Sequence, residues 1–445
     1  MSEHSSARTD LIYRLEDEPG FLEATFAGIQ HVLASFVGII TPTLIIGGVL
    51  GLGEHVPYLI SMALIVSGVA TFIQAARPLG IGAGLLCVQG TSFAFLSSVL
   101  AAGFIAKSKG GGPEDILALI FGVCFLGAFV EIFLSQIIGR LKNVVTPLVT
   151  GIVITLIGLS LIKIGMTDLA GGHKAKDLGS LQNLMLGGTV LVTVIIMNQM
   201  RSKWLRISSI AIGLVVGFAI AIVLGKVNFS NLASLPIISI PVPFKFGFAF
   251  DWGAFLPIAL IYVITTIETT GDITANCVIS GEPIEGERYL KRVKGGVLAD
   301  GVNSMIAAAF NTFPNTTFSQ NNGVIQLTGI ASRHVAYYIA AILIILGLFP
   351  IVGGVLQHMP KPVLGGATLV MFATVAAAGI KILKRVPLNR RNMMIIAVSF
   401  GLGLGVMMVP EVVSNFPKVA KNIFGSAITT GGLAAVFLNW ILPKH

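Results

Sequence analysis

Charge is what this chain has least of. Asp, Glu, Lys and Arg make up 11% of its 445 residues, whereas a soluble domain carries roughly a quarter. Cysteine is equally sparse. Cys87, Cys124 and Cys277 sit in or beside apolar stretches without C-x-x-C or His-rich spacing, so neither a disulfide framework nor a metal site is implied. No G-x-x-x-x-G-K-[ST] loop occurs, which excludes an ATPase within the chain as the energy source. The net charge is +9, yet the basic residues form no continuous stripe, so nucleic acid is not an expected partner. Residues 1–20 lack the basic-then-apolar build of a cleaved signal, and insertion is expected to use the first helix itself.

Apolar sequence is what remains. Hydrophobic residues make up 54% of the chain, with 52 glycines and a mean hydropathy of +0.89. Runs such as 144–162 and 207–224 reach the roughly 18 residues that a helix needs to cross a bilayer. Spans are expected near 24–44, 59–75, 82–100, 116–138, 144–164, 184–198 and 207–224. The second half adds 254–276, 296–310, 322–330, 335–352, 363–382, 392–408 and 423–438. The total is about fourteen. Most of the 29 Lys and Arg, including Arg77, Arg140, Lys142, Arg201 and the cluster Arg288 to Lys294, then fall on the side of the N-terminus. The positive-inside rule therefore places both termini in the cytoplasm.

Two regularities relate the halves. Val145-Thr-Pro147-Leu-Val-Thr-Gly151 opens the fifth span and Pro360-Lys-Pro362-Val-Leu-Gly-Gly366 the twelfth, each with a proline four residues before a glycine. An odd separation in span number means opposite orientation in the membrane, the trace of an inverted repeat. The third and tenth spans are each broken by a polar, glycine-bearing patch, Val88-Gln89-Gly90-Thr91-Ser92-Phe93-Ala94 and Gln320-Asn321-Asn322-Gly323. Paired interruptions of this kind point to a midplane site, with extended segments leading into half-helices whose free N–H groups face a polar ligand. The expected fold is an all-α polytopic membrane protein with a 7+7 inverted repeat and short extended segments in spans 3 and 10.

The candidate residues are the polar ones that hydrocarbon cannot accommodate. The stretch 311–329 carries a proline, four asparagines and two glutamines between apolar runs, and such amides need protein, water or ligand as partners. Glu268 and Asp272 share one helical face, in a span without a basic residue. A carboxylate at that depth costs about 3 kcal/mol on insertion scales, so it must face a polar cavity. Gln320 offers a carboxamide donor and acceptor together, which matches the N–H/C=O edge of a purine or pyrimidine dione. His31, after Gln30, is either a satisfied structural residue or a ligand. Asp300 and Asn303 share a face of the ninth span, and Asp300 is read as holding the tenth-span loop in preference to carrying a proton. Glu131 is left unassigned. An uncompensated membrane carboxylate favours a proton gradient as energy source. Glu268 with Asp272 as an acid/base pair is disfavoured, because no nucleophile or metal set accompanies them. An anion exchanger needs a cationic centre, and the facing residues here are acidic and amide.

Gln320-Asn-Asn-Gly-Val-Ile-Gln-Leu-Thr328-Gly329 resembles the signature of the nucleobase-ascorbate transporters, also called nucleobase:cation symporter family 2. Ile12 to Asp17, Gln30-His31, Gln89 to Phe93, Glu268 to Asp272, Lys294 to Asp300 and Phe310 to Asn315 extend the resemblance over nearly the whole chain, which looks most like the bacterial xanthine permeases. The resemblance implies a homodimer in a bacterial cytoplasmic (inner) membrane, in contact with lipid, without a cofactor. Each subunit would have a cytoplasmic tail (1–20), a core domain (21–140 and 250–360) and a gate domain (141–249 and 361–445). It further implies that Glu268 and Gln320 hydrogen-bond the base with backbone help from Phe93 and Ser319, with Ser92 and Asn321 in the same set. His31, Asp272 and Asp300 would tune affinity and proton coupling, with a contribution from Asn321. Transport would be an elevator-like slide of core against gate, importing xanthine with protons. Ala94, which cannot hydrogen-bond through its side chain, leaves the choice between xanthine and uric acid open.

Overall fold

The computed structural model describes residues 11–140, 146–172, 175–227 and 236–443. Lys142, Val145 and the first ten residues of the expected tail lie outside them. The chain opens with α1 (Phe21–Leu50), which ends at Gly51 with φ 67°, a left-handed cap that returns its N–H to Gly47. It continues through α2 (Val56–Ala76), β1 (Gln89–Thr91), α3 (Leu96–Ser108) and α4 (Pro113–Ile137). Next come α5 (Pro147–Leu169), α6 (Leu181–Gln199), α7 (Lys203–Ile207) and α8 (Ser209–Val223). The second half holds α9 (Trp252–Ile279), α10 (Gly286–Ala309), β2 (Asn315–Thr317) and α11 (Ser319–Thr328). It closes with α12 (Val335–Leu348), α13 (Pro350–Gln357), α14 (Lys361–Leu383), α15 (Arg390–Met408), α16 (Lys418–Phe424) and α17 (Ala427–Ile441). Prolines at first turns, as in α2, α4, α5 and α14, use a position whose N–H has no helical partner.

Among the described residues, eight helices are long and apolar enough to cross a membrane, and nine if the bent pair α12 and α13 is one span. The chain is a polytopic helical membrane protein. Several expected spans are not continuous helices. Residues 82–100 run as an extended stretch, β1 and a short turn before α3 begins, and α11 has only 10 residues. The expected span 335–352 breaks by 73° because Pro350 lacks an N–H and drives Phe349 out of the helical region, to ψ 98°. The run 423–438 is likewise split between α16 and α17. Conversely, α10 begins ten residues before its apolar run, at Gly286, so the basic cluster is itself helical.

Glycine allows the closest contacts. α5 and α14 pack antiparallel: Gly151 near the start of α5 lies on Leu383 at the end of α14, and Gly365 near the start of α14 lies on Leu169 at the end of α5. Between these points, a Cβ on Gly158 would come within 2.2 Å of Ala376 N, and one on Gly379 within 2.4 Å of Thr155 N. α4 packs on α10 and α2 on α12. In the middle of the bundle β1 and β2 pair antiparallel, with Gln89 opposite Thr317, Gly90 opposite Thr316 and Thr91 opposite Asn315. All six residues are buried, so each strand supplies the other with hydrogen bonds that hydrocarbon cannot.

Candidate functional site

The strand pair is held from three sides. On α10, Asp300 Oδ1 accepts from Gln74 Nε2 of α2 at 2.7 Å, and Oδ2 accepts from Thr269 Oγ1 of α9 at 2.5 Å and from the backbone N–H of Thr317 at 3.2 Å. Thr317 Oγ1 lies 3.3 Å from Oδ1. Every contact can donate, the pattern of an ionised carboxylate with its lone pairs filled. Gln89 joins β1 to this knot, donating its side-chain amide to Thr317 Oγ1 at 2.8 Å and its backbone N–H to Thr71 Oγ1 at 3.0 Å. The stretch before β1 is anchored by Arg292, whose guanidinium donates to the carbonyls of Ala83 and Gly84 at 3.1 and 2.8 Å and pairs with Glu282 at 2.9 Å. Asn303 binds the carbonyl of Ala70 at 3.3 Å, so both polar residues of that α10 face meet α2.

Each strand leads into a helix, β1 into α3 and β2 into α11, so two helix starts with unpaired N–H groups flank the pair. Ser319 opens α11, and its Oγ donates to Asp272 Oδ1 on α9 at 2.6 Å. Asn322 adds a 3.4 Å bond to the backbone carbonyl of Asp272. Asp272, Ser319, Gln320 and Asn322 line one wall of a cavity of about 440 Å³. Its other wall comes from α6, the α7–α8 region and α14, with Asn198, Arg206, Lys381 and Arg385. Lys381 Nζ bridges the two walls by donating to Gln326 Oε1 at 3.4 Å.

Glu268 stands one turn of α9 behind Asp272. It is 8% exposed, its Oε2 is buried without a hydrogen-bond partner among the described residues, and none of the described ion pairs includes it. Ser92, Phe93, Asn321, His31 and Asp300 are buried off the cavity wall. Phe93 stacks edge-on to Phe372 of α14, with ring centres 5.2 Å apart, and the Ser92 N–H donates to Pro314 at 2.8 Å. Asn321 and Asn276 both donate to the carbonyl of Leu86, at 2.5 and 2.8 Å. His31 on α1 faces Asn321 without reaching hydrogen-bond geometry. Asp272 and Ser319 thus meet directly and share the cavity wall with Gln320, whereas His31 and Asp300 adjoin the site through Asn321 and the strand pair. Gln74, Thr269, Thr317 and Asn276 were not singled out from the sequence. Gln74 had the clearest signal, a carboxamide near the end of an apolar run.

The profile described as a permease family matches residues 22–412. The chain belongs to the nucleobase-ascorbate transporter family. Among curated relatives of this family, the xanthine permease XanP of Escherichia coli (strain K12) is 46% identical over 442 residues, covering 98% of this chain and 96% of the relative. The xanthine permease XanQ of the same organism is 47% identical over 447 residues, 100% of this chain and 96% of the relative. The uric acid permease PucJ of Bacillus subtilis (strain 168) is 36% identical over 419 residues, 92% and 90%. Among solved structures, the transmembrane domain of a cyanobacterial bicarbonate transporter, BicA, matches with TM-score 0.57 at 15% identity, covering 92% of this chain and 99% of that one. Murine Slc26a9, an anion transporter in the inward-facing state, matches with TM-score 0.58 at 12% identity, 93% and 68%. At such identities the likeness concerns the fold alone.

Proposed function

We propose that this protein is a permease that imports xanthine together with protons across a bacterial inner membrane. One observation carries the reading: an acidic face of α9, in no ion pair among the described residues, meets the start of α11 at a cavity bounded by helices from both halves of the chain. The substrate comes from the kinship with XanP and XanQ, at 46% and 47% identity. Glu268 accepts an N–H of the base, and Gln320 pairs with its N–H/C=O edge. The backbone N–H groups of Phe93 and Ser319 assist, Ser92 and Asn321 complete the surroundings, and His31, Asp272 and Asp300 set affinity and proton coupling. About 6 Å of helix rise separates Asp272 on the wall from Glu268 behind it, a gap that a flat bicyclic base bridges.

In this reading the chain holds fourteen spans, counting broken and half-length helices, as two inverted sets of seven. The antiparallel α5/α14 pair, the exchanged contacts of α4 with α10 and α2 with α12, and the two strand-to-helix segments support it. Residues 21–140 and 250–360 form the core, 141–249 and 361–445 the gate, and both termini face the cytoplasm. The cavity separates core from gate on the side of Arg206, Lys381 and Arg385. Toward the other side Phe93 meets Phe372, and a Cβ on Gly48 would lie 3.3 Å from Lys361 Nζ. That asymmetry fits an inward-open arrangement, and a slide of core against gate would exchange the open side. A second subunit and lipid cover the outer faces.

Uptake of radiolabelled xanthine by cells, with and without an uncoupler, tests the reading. Uptake that survives the uncoupler removes proton symport. Competition by unlabelled uric acid stronger than by xanthine makes uric acid the substrate, an outcome compatible with Ala94. Chloride or sulfate currents in proteoliposomes, without xanthine uptake, assign the site to anions instead.

A further inference from the structure

Glu131 on α4 is a buried acid to which the proposed cycle gives no task. It is 1% exposed. Its Oε1 accepts from Thr265 Oγ1 of α9 at 3.3 Å, and its Oε2 is buried without a partner among the described residues. The one donor is shared, because the Thr265 hydroxyl also lies 3.2 Å from the Tyr262 carbonyl. α4 packs on α9, α10 and α3. The titratable groups within electrostatic reach of the carboxyl are Asp300 on α10 and Glu268 and Tyr262 on α9. The one titratable residue of α3 is Lys107 in its last turn, beside the loop that leads into the opposite end of α4. No described ion pair includes Glu131.

Successive turns of α9 carry polar contacts: Thr265 meets Glu131, Thr269 meets Asp300 at 2.5 Å, and Asp272 meets Ser319 at 2.6 Å on the cavity wall. The spacing of 265, 269 and 272 places these three residues on one face of the helix, from the α4 interface to the cavity. Buried side-chain oxygens are as a rule hydrogen-bonded, whereas here three acids, Glu131, Glu268 and Asp272, each keep one oxygen buried without a partner among the described residues. Asp300 and Glu268, when ionised, are like charges beside Glu131, so in a dry site of low dielectric a protonated Glu131 is favoured while Glu268 is ionised.

We propose that Glu131 is a further proton-holding acid of the transport cycle: it carries a proton inward while Glu268 is ionised against the base, and releases that proton to the cytoplasm once the base has left and water fills the cavity, so that the empty carrier returns with one proton fewer. The inference rests on the symport reading, and its test separates the two. Glu131→Gln keeps the acceptor for Thr265 and removes the ability to ionise. In cells with an imposed proton gradient, E131Q lowers the accumulation of labelled xanthine about tenfold, within the usual range of coupling between two sites. Exchange of labelled for unlabelled xanthine at equal pH falls much less. If wild-type accumulation itself ignores the gradient, the symport reading fails. If the wild type is coupled and E131Q accumulates equally well, only the role of Glu131 is overturned. Should E131Q be missing from the membrane, Glu131→Asp decides: it keeps an ionisable group and recovers accumulation, and an E131D protein that reaches the membrane without accumulating xanthine overturns the proposal.

Discussion

Replacing Asp300 by asparagine tests how the site is held together. Gln74 cannot turn to suit the new amide, because its Oε1 is already taken by the Ala83 N–H at 2.9 Å. The backbone N–H of Thr317 cannot turn either. If the asparagine NH₂ takes the Oδ1 position it confronts Gln74 Nε2, and in the Oδ2 position it confronts the Thr317 N–H, contacts now at 2.7 and 3.2 Å. Either orientation loses one hydrogen bond to a charged group, about 1.5–3 kcal/mol, and strands a buried donor, about 1–3 kcal/mol. A destabilisation of about 3–5 kcal/mol follows. Unfolding entropy scales with length at about 2.1 cal/mol/K per residue, so for a chain of this size the midpoint drops by about 3–5 °C. Thermal unfolding of the detergent-purified D300N variant is the assay. A midpoint within about 1 °C of wild type would show that Asp300 does not clamp β2.

Ser319→Ala leaves Asp272 Oδ1 without its 2.6 Å donor at the cavity wall. It should weaken xanthine binding about tenfold with little change in the amount of protein in the membrane, measurable by equilibrium binding on purified protein. At the end of α9, Asp251 caps the helix by accepting from Ala254 N at 3.0 Å and pairs with Lys109 at 2.7 Å. The Lys109 ammonium holds this carboxyl below its usual value. Asp251 therefore contributes stability above the unfolded Asp value of about 3.9 and loses it as pH falls through the lower folded value. Asp251→Asn keeps the cap oxygen and loses only the screened pair with Lys109 and the charge at the helix start, so it should cost about 0.5 kcal/mol at pH 7, a deficit that shrinks as pH falls. Denaturation curves of both proteins at pH 7 and near pH 3 check it.

Much of this arrangement was readable before any coordinates. The i, i+4 spacing of Glu268 and Asp272 announced a shared face, and the amides of 311–329 announced a segment that lipid could not surround. The paired Pro/Gly openings did mark two helix starts, those of α5 and α14. The polar, glycine-bearing patches announced the extended segments of spans 3 and 10, but hydropathy could not give the extent of the non-helical stretch in 82–100, because it weighs side chains and is blind to the backbone. Gly82 at φ 128° and Gly84 at φ 65° take the chain out of helical space although their neighbours are apolar. That Asp300 holds the tenth-span segment was legible in the sequence, but its partner Gln74 was not: the two lie 226 residues apart, and no local pattern joins them. The break at Pro350 was legible in principle, since proline inside an apolar run is itself a signal.

The measurement closest to the central claim is direct binding of radiolabelled xanthine to purified wild-type protein and to Glu268→Gln. The substitution keeps the size of the side chain and removes its charge. Losing a charge-assisted hydrogen bond, about 1.5–3 kcal/mol, should weaken binding roughly ten- to hundredfold while the protein remains folded. An E268Q protein that binds xanthine within about twofold of wild type would contradict the assignment of Glu268 as the acid that grips the base.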